Sequence, residues 1–232
     1  MQIQYILFFI AGATFLQASE SMETLGNKHN TDKIYKHSYH QIYEDVLTPL
    51  RDQTFHMLEI GVLRGASVRM WQDYFPHAQI HGLDTHLRIE PEERIHLYQG
   101  NVRNHAFLAA VLQAIGHPLT FILDDASHIP EDQLDSFLYL FEHALESGGI
   151  YIVEDVETSY WKEGPPFHLG LHHKKNIVEF FKRIPDFLNR EYAPAKDQKT
   201  ILRSIVPPEA GRVLKSIKSV TFARNCIIIR KK

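Results

Sequence analysis

Between residues 39 and 153, segments with helical spacing alternate with short apolar segments typical of strands, and this alternation constrains the fold more than any other feature. The predicted strands cover residues 55–60, 79–83, 94–98, 119–123 and 150–153, and the predicted helices cover residues 39–50, 67–75, 105–115 and 133–145. Strands and helices that alternate at this pace are typical of a parallel sheet with helices on both faces. We therefore predict an α/β fold with a doubly wound, mostly parallel sheet.

The C-terminal part of the chain departs from this alternation. Residues 219–222 and 226–229 have strand-like composition, and Ala223-Arg224-Asn225 lies between them. This pattern predicts a hairpin that closes one edge of the sheet in the antiparallel sense. The 232 residues contain no internal repeat and no linker long enough to divide domains. Residues 20–232 are therefore predicted to form a single domain.

The overall composition excludes several classes of protein. The net charge of −3 and the lack of a basic stripe argue against a nucleic-acid partner. Cys226 is the single cysteine, which excludes a disulfide scaffold and a thiolate zinc site. Cys226 lies in an apolar run and is predicted to be a core residue.

The first 19 residues form an apolar leader. Residues 5–16 have the length of the apolar region of a signal peptide, and Leu16-Gln17-Ala18 offers a small residue for cleavage. The run is short for a membrane span, and no Lys or Arg precedes it. We favour export or membrane anchoring through this leader, which would also be the protein's only contact with a membrane. The alternative is a cytoplasmic protein whose N-terminal helix packs on the domain.

A glycine turn follows the first predicted strand. Gly61 and Gly65 lie where the strand passes into a helix, and such glycines allow a ligand to approach backbone N–H groups. The spacing is not that of the dinucleotide motif, and Glu59 would accept from an ammonium group but repel a pyrophosphate. Asp84 ends the second strand, where an acid can bind ribose hydroxyls. Asn101 follows the third strand, where its side-chain amide could contact the edge of an adenine. The turn thus favours a cofactor with an amino-acid end over NAD, and a plain tight turn is the alternative.

Acidic residues also follow the two strands after the third. Asp125 ends one strand and the pair Glu154-Asp155 ends the next, and consecutive parallel strands usually lie side by side. Three converging carboxylates repel one another unless a cation or protons lie among them, and oxygen ligands favour Mg²⁺. His128 would lie close to that ion and is suited to accept a hydroxyl proton.

Other residues near these acids have simpler interpretations. Any single acid at a strand end is often a helix cap, and Ser127 and Asp132 are equally credible caps for the helix that follows. Asp124 would shape the strand end or touch the methionine end of a cofactor. Tyr160 and Trp161 are candidate walls of an acceptor pocket, with ordinary loop packing as the alternative. The irregular loop of residues 160–175 is long enough to be functional, and its histidines could cover the site or lie in solvent: His168, His172 and His173.

Taken together, these motifs resemble a known family. The segments are LEIGVLRGAS (58–67), WQDYFP (71–76), GLD (82–84), DDASH (124–128) and GGIYIVEDVETSY (148–160), preceded by Thr31-Asp32-Lys33 with Tyr39 and Tyr43. They resemble the metal-dependent sugar O-methyltransferases of macrolide biosynthesis, of the macrocin and mycinamicin type, over residues 29–162. The resemblance implies a Rossmann-like class I methyltransferase fold that binds S-adenosylmethionine. Ala126 stands where the family commonly has glycine.

The resemblance also implies roles for individual residues. Asp125, Glu154 and Asp155 would bind Mg²⁺, and His128 would be the general base. S-adenosylmethionine would contact Glu59, Gly61 and Asp84, to which the turn analysis adds Gly65, Asn101 and Asp124.

We therefore expect an S-adenosylmethionine- and Mg²⁺-dependent O-methyltransferase that acts on a hydroxyl of a sugar or another small diol. A homo-oligomer is compatible with this expectation. One alternative is an exported binding or interaction protein built on a methyltransferase scaffold. Another is a catechol-type methyltransferase or a related hydroxylase, which would use the same metal and cofactor positions for a different acceptor.

Overall fold

The computed structural model describes residues 19–161, 167, 173, 176–204 and 210–232. The strands in this part of the chain are β1 (His56–Ile60), β2 (Gln79–Asp84), β3 (Ile95–Gln99), β4 (Leu119–Asp124), β5 (Leu145–Glu154), β6 (Ile217–Ala223) and β7 (Cys226–Lys231). The α-helices are α1 (Met22–His29), α2 (Asp32–Tyr35), α3 (His40–Leu47), α4 (Ala66–Tyr74), α5 (His105–Ile115), α6 (Pro130–His143), α7 (Ile177–Lys182), α8 (Ile184–Leu188), α9 (Ala195–Ser204) and α10 (Gly211–Lys215). Short 3₁₀ helices cover Thr48–Leu50, Val156–Tyr160 and Arg190–Tyr192.

The described strands form one sheet in the order β3-β2-β1-β4-β5-β7-β6. The strands β1 to β5 pair in parallel, whereas β7 is antiparallel to both β5 and β6. The predicted doubly wound sheet with a C-terminal hairpin is therefore confirmed. Within the hairpin, β7 takes the inner position because its apolar run, residues 226–229, is buried, while β6 carries exposed residues and forms the edge.

Helices cover both faces of the sheet, because alternate residues of each strand point to opposite sides. In β1, Met57 packs in the cluster that includes residues of α1, α3 and α4. Leu58 and Ile60 pack in the cluster that includes residues of α5, α6 and the C-terminal helices. The core therefore consists of two layers, one on each side of the sheet.

Some element boundaries differ from the prediction. The helix α6 begins at Pro130 rather than at residue 133, because proline is well suited to the first helical turn. The strand β5 begins at Leu145 and runs through Gly148-Gly149, which the sequence suggested as a helix stop before residue 150. Its early part is held because Leu145 pairs with Leu119 of β4. The segment of residues 20–37 forms α1 and α2, which pack on the domain.

Residues 1–18 of the predicted leader lie outside the described residues. They include the predicted cleavage site. Most of the 160–175 loop, including His168 and His172, also lies outside the described residues. Within the part of the chain that the structure describes, no helix is long and apolar enough to cross a membrane.

Candidate active site

The carboxyl ends of β1 and β4 meet at the point where the strand order reverses, since β1 lies between β2 and β4. Such switch points are the usual ligand sites of doubly wound sheets. The turns after the two strands pack closely. The Asp125 N–H donates to the Ile60 carbonyl at 2.9 Å, and the Gly61 N–H donates to the Leu83 carbonyl at 2.8 Å. A Cβ at position 61 would lie 2.0 Å from the Asp125 carbonyl oxygen, and φ there is +93°, so this turn requires glycine.

Residues of these turns line two cavities. The larger, of about 630 Å³, is lined by Gly61, Asp84, Asp125, His128 and Asp155, among others. The smaller, of about 190 Å³, shares Gly61 and Asp84 with the larger one and adds Asn101. Six residues predicted from the sequence therefore face the two cavities.

Asp84 ties the end of β2 to the glycine turn. Its Oδ2 accepts the N–H groups of Val62 and Leu63, both at 2.9 Å, and its Oδ1 accepts the His86 N–H at 2.9 Å. Burial opposes ionisation of this carboxyl, but the three N–H donors hold its pKa below its usual value. An ionised acid with lone pairs still facing a cavity is suited to accept from ribose hydroxyls.

The two other residues of the predicted cofactor turn have local roles. Gly65 is the N-cap of α4 with φ +79°, and its N–H donates to the Val62 carbonyl at 2.8 Å. It is absent from the described lining of both cavities. Asn101 Oδ1 accepts the Arg103 N–H at 2.9 Å, which leaves its amide group beside the smaller cavity.

Asp125, His128 and Asp155 form a group that can hold a metal ion. Each offers a ligand atom, and these atoms all lie within 4.8 Å of one another. His128 Nε2 lies 3.1 Å from Asp125 Oδ1, and His128 Nδ1 lies 3.6 Å from Asp155 Oδ2. Burial lowers the pKa of His128, but the hydrogen bond and charge of Asp125, together with Asp155, raise it above its usual value overall.

The backbone around this group is held from neighbouring elements. His128 has φ +55° and Asp155 has φ +50°, so both residues adopt the left-handed conformation. The Thr158 hydroxyl donates to the His128 carbonyl at 2.6 Å. Tyr39 OH and Asn225 Nδ2 donate to Asp155 Oδ1 at 2.6 and 2.9 Å. The opposite oxygen of Asp155 is the one that faces His128.

A buried lysine lies behind the metal-capable group. Lys33 is 2% exposed, and its Nζ lies 2.5 Å from Asp125 Oδ2, 2.5 Å from Glu154 Oε2 and 3.4 Å from Glu59 Oε1. The second oxygen of Glu154 accepts from the Tyr43 hydroxyl. The Glu154 carboxylate, 1% exposed, is thus held on both oxygens inside the protein.

The charges of this cluster depend on burial and on the lysine. Burial alone would lower the pKa of Lys33, but Asp125, Glu154 and Glu59 raise it well above 10.5. Burial opposes ionisation of Asp125, but Lys33 and His128 hold the pKa of Asp125 below its usual range. Burial raises the pKa of Glu59 to about 7 against the effect of Lys33. The ammonium group that faces Glu59 in the structure is that of Lys33. The contact between Glu59 and the amino-acid end of a cofactor stays a prediction.

The remaining predicted residues are not part of the metal-capable group. Asp124 is buried beneath the turn after β4, where burial raises its pKa to about 7. Tyr160 is 54% exposed and lines a different cavity, of about 540 Å³, together with Phe222 and Asn225. Trp161 packs edge-on against Phe167. Ser127 is no helix cap, but its hydroxyl accepts the Ile129 N–H and donates to Asp132 at the start of α6.

Several residues that contact the site were not assigned from the sequence, among them Lys33, Tyr39, Tyr43 and Asn225. Tyr39 and Tyr43 are four residues apart, a spacing that places both on one face of a helix. Lys33 belongs to the Thr31-Asp32-Lys33 segment noted above only as a resemblance. The fully buried position of Lys33 has no local signal, because its neighbours Asp32 and Lys36 are polar.

The donor atoms suit both expected groups. Asp125 and Asp155 present carboxylate oxygens, as a hard divalent ion requires, and the single thiol, Cys226, is buried in the core. The Gly61 turn leaves backbone exposed to both cavities, and Asp84 lies where a ribose would be held. The residues present therefore fit Mg²⁺ and an adenosine-containing cofactor.

Known proteins are similar to this chain in sequence and in fold. No protein-family model matches the chain. It is 34% identical over 182 residues to a Streptomyces olivaceus 8-demethyl-8-alpha-L-rhamnosyl tetracenomycin-C 2'-O-methyltransferase, covering 74% of this chain and 47% of the relative. A 3'-O-methyltransferase from the same organism is 34% identical over 216 residues, covering 89% and 53%. The chain thus spans about half the length of the curated relatives it matches.

A solved structure is also similar. The MycE methyltransferase of the mycinamycin biosynthetic pathway, in complex with Mg, SAH and mycinamycin VI, matches with a TM-score of 0.76 and 26% sequence identity. The match covers 92% of this chain and 55% of that protein.

Proposed function

We propose that this chain is an S-adenosylmethionine- and Mg²⁺-dependent O-methyltransferase. It has the class I S-adenosylmethionine-dependent methyltransferase fold. It is also homologous to the macrolide sugar O-methyltransferases over about half of their length. The acceptor would be a hydroxyl of a sugar or another small diol, as the names of the relatives suggest. The observation that carries the proposal is the meeting of Asp125, His128 and Asp155 beside the Gly61 turn in one cavity.

The cofactor would extend across both cavities. Asp84 and Asn101 would hold its adenosine end, and the turn at Gly61 would lie against its middle. Its methionine end would then point into the larger cavity, toward Asp125 and His128. Glu59 and Asp124 would support this end, since both are buried at the carboxyl ends of β1 and β4, next to the turns.

Asp125 and Asp155 would hold the metal through the oxygens that face His128. Glu154, the third predicted ligand, contacts Lys33 and Tyr43, and its part in metal binding stays a prediction. When bound, S-adenosylmethionine would supply the methyl group and Mg²⁺ would acidify the acceptor hydroxyl.

His128 would take the proton of the acceptor hydroxyl. Its contact of 3.1 Å with Asp125 Oδ1 assigns the ring proton to Nε2, because a carboxylate can only accept. Nδ1 then carries the lone pair, and it is the atom that would receive the proton. Asp125 has a second effect, since it fixes the orientation of the ring. Holding base and acceptor in near-attack geometry can lower the activation free energy by about 7–11 kcal/mol.

Calorimetric titration tests this proposal. The wild-type protein should bind S-adenosylmethionine, and Mg²⁺ should bind to the wild type but not to Asp125→Ala. A protein that binds no cofactor with or without Mg²⁺ would contradict the proposal. Acceptors are then compared by following methyl transfer to sugars that carry adjacent hydroxyls, with the matching deoxy sugars as controls.

Export or anchoring through the apolar leader belongs to the same proposal, as does assembly into a homo-oligomer. The mass of the mature protein tests the first, since a chain that still begins at Met1 is not cleaved. Light scattering tests the second.

A further inference from the structure

Asn225 lies in the turn of the C-terminal hairpin, between β6 and β7, and its side chain reaches the end of β5. We propose that Asn225 is a positioning residue for the metal site. It holds one oxygen of Asp155, so that the other oxygen stays turned toward the larger cavity and the divalent ion. The inference rests on the proposed function, because it takes Asp155 to be one of the ligands of that ion.

Both ends of the Asn225 side-chain amide bond to the segment that follows β5. Its Nδ2 donates to Asp155 Oδ1 at 2.9 Å, and its Oδ1 accepts the Glu157 N–H at 2.8 Å. An ionised carboxylate can only accept and a backbone N–H can only donate, so this orientation of the amide is the one that satisfies both partners. The Asn225 carbonyl also accepts the Val156 N–H at 3.3 Å. One turn residue therefore contacts three consecutive residues of the acidic segment.

These contacts decide which oxygen of Asp155 is free to bind a metal. Its Oδ1 accepts from Asn225 and also from the Tyr39 hydroxyl, at 2.6 Å, and His37 Nδ1 lies 3.7 Å from it. Its Oδ2 lies 3.6 Å from His128 Nδ1, and Asp155 and His128 both line the larger cavity. Outer partners of this kind fix the orientation of a metal ligand. Without the amide, the carboxylate could rotate and turn Oδ2 away from the cavity.

The turn by itself does not require asparagine at this position. Asn225 has φ +59°, in the left-handed region that glycine adopts without steric cost. Glycine would therefore satisfy the backbone, but it has no amide to donate to Asp155 or to accept from Glu157. Asn225→Gly thus separates the role of the side chain from that of the turn.

The experiment measures Mg²⁺ binding by calorimetric titration. Asn225→Gly should raise the dissociation constant for Mg²⁺ by a factor of about 10–100, the usual effect of removing an outer partner of a metal ligand. Its affinity for S-adenosylmethionine should stay that of the wild type, because Asn225 is not among the described residues that line the two cavities at Gly61. Asn189→Gly is the matched control. It removes an exposed amide that donates to the Pro185 carbonyl at 2.8 Å, and it should bind Mg²⁺ like the wild type.

A double-variant comparison shows whether Asn225 acts through Asp155. In an Asp155→Ala background, Asn225→Gly should weaken metal binding no further, because the ligand that it positions is already gone. Mn²⁺, which takes the same oxygen ligands, replaces Mg²⁺ as the probe where binding is too weak to follow. If glycine prevents folding, Asn225→Ser serves instead, since its shorter side chain cannot bond both partners.

Equal Mg²⁺ affinity of Asn225→Gly and the wild type would overturn the inference. So would an equal loss of affinity with and without Asp155, because the amide would then act through the fold as a whole. A wild-type protein that binds neither ion overturns the proposed metal site and with it this inference. Wild-type binding with an unaffected variant overturns this inference alone.

Discussion

Replacing Gly61 by alanine should both destabilise the domain and abolish cofactor binding. The left-handed conformation at φ +93° costs a residue with a Cβ about 1–2 kcal/mol. The new Cβ would also lie 2.0 Å from the Asp125 carbonyl oxygen, so the turns after β1 and β4 must separate. That separation breaks the hydrogen bond from the Asp125 N–H to the Ile60 carbonyl, which is worth about 1 kcal/mol. The total of about 2–3 kcal/mol corresponds to a fall in unfolding midpoint of about 4–12 °C.

Gly148→Ala is the matched control for this prediction. Gly148 also has a left-handed φ, of +81°, but a Cβ there would meet nothing within 4 Å. It should lose only the backbone cost, about 1–2 kcal/mol, and should bind S-adenosylmethionine as the wild type does. Thermal unfolding and calorimetric titration on both variants measure the difference. If Gly61→Ala is no less stable than Gly148→Ala and binds the cofactor equally well, the close packing of the two turns does not matter.

Three further changes test other parts of the site and fold. His128→Ala should retain cofactor and Mg²⁺ binding, but its turnover number should fall by a factor of about 10²–10⁴. The wild-type rate should rise with pH as His128 loses its proton. A variant with an unchanged turnover number and pH profile would show that another group takes the proton. Asp84→Asn should weaken S-adenosylmethionine binding by about tenfold, because an amide offers one acceptor oxygen instead of two. If calorimetry shows equal affinity for the variant and the wild type, Asp84 is not part of the cofactor site. Burial lowers the pKa of His81 from 6.5 to about 3, with the neighbouring imidazoles of His96 and His56 adding to the effect. The unfolded state therefore binds more protons below pH 6.5, and about 2 kcal/mol of stability should be lost by about pH 5. Urea unfolding of the wild type and of His81→Asn measures this loss, and an equal pH dependence in both would refute it.

Much of the fold follows from patterns within short segments. Apolar runs such as residues 119–123 and the helical spacing of residues 105–115 are local signals, and the structure has β4 and α5 at these places. The prediction that Asp125 and Glu154 lie close together required one further rule, namely that consecutive parallel strands are usually neighbours in the sheet. The register confirms the expected neighbourhood, because Asp124 of β4 pairs with Val153 of β5.

The boundaries that local patterns missed have tertiary causes. Gly148-Gly149 resembles a helix stop, but pairing of Leu145 with Leu119 draws these residues into a strand. Tyr160 follows the acids closely in sequence, yet the 3₁₀ turn Val156–Tyr160 places it at a different cavity from His128. In the first case the deciding contact comes from an element distant in sequence. In the second, Phe222 and Asn225, which are also distant in sequence, line the cavity together with Tyr160.

The sequence by itself determined the parallel sheet, the glycine turn and the acids at the strand ends, because each depends on residue type at short spacing. It also indicated that a cation or protons lie among those acids. Only the tertiary structure decided which cation is built into the protein. Lys33 lies 92 residues before Asp125 and 121 before Glu154, in a polar segment with no local sign of burial. Its position depends on how α2 packs against the ends of β1, β4 and β5, and such packing is a property of the whole chain.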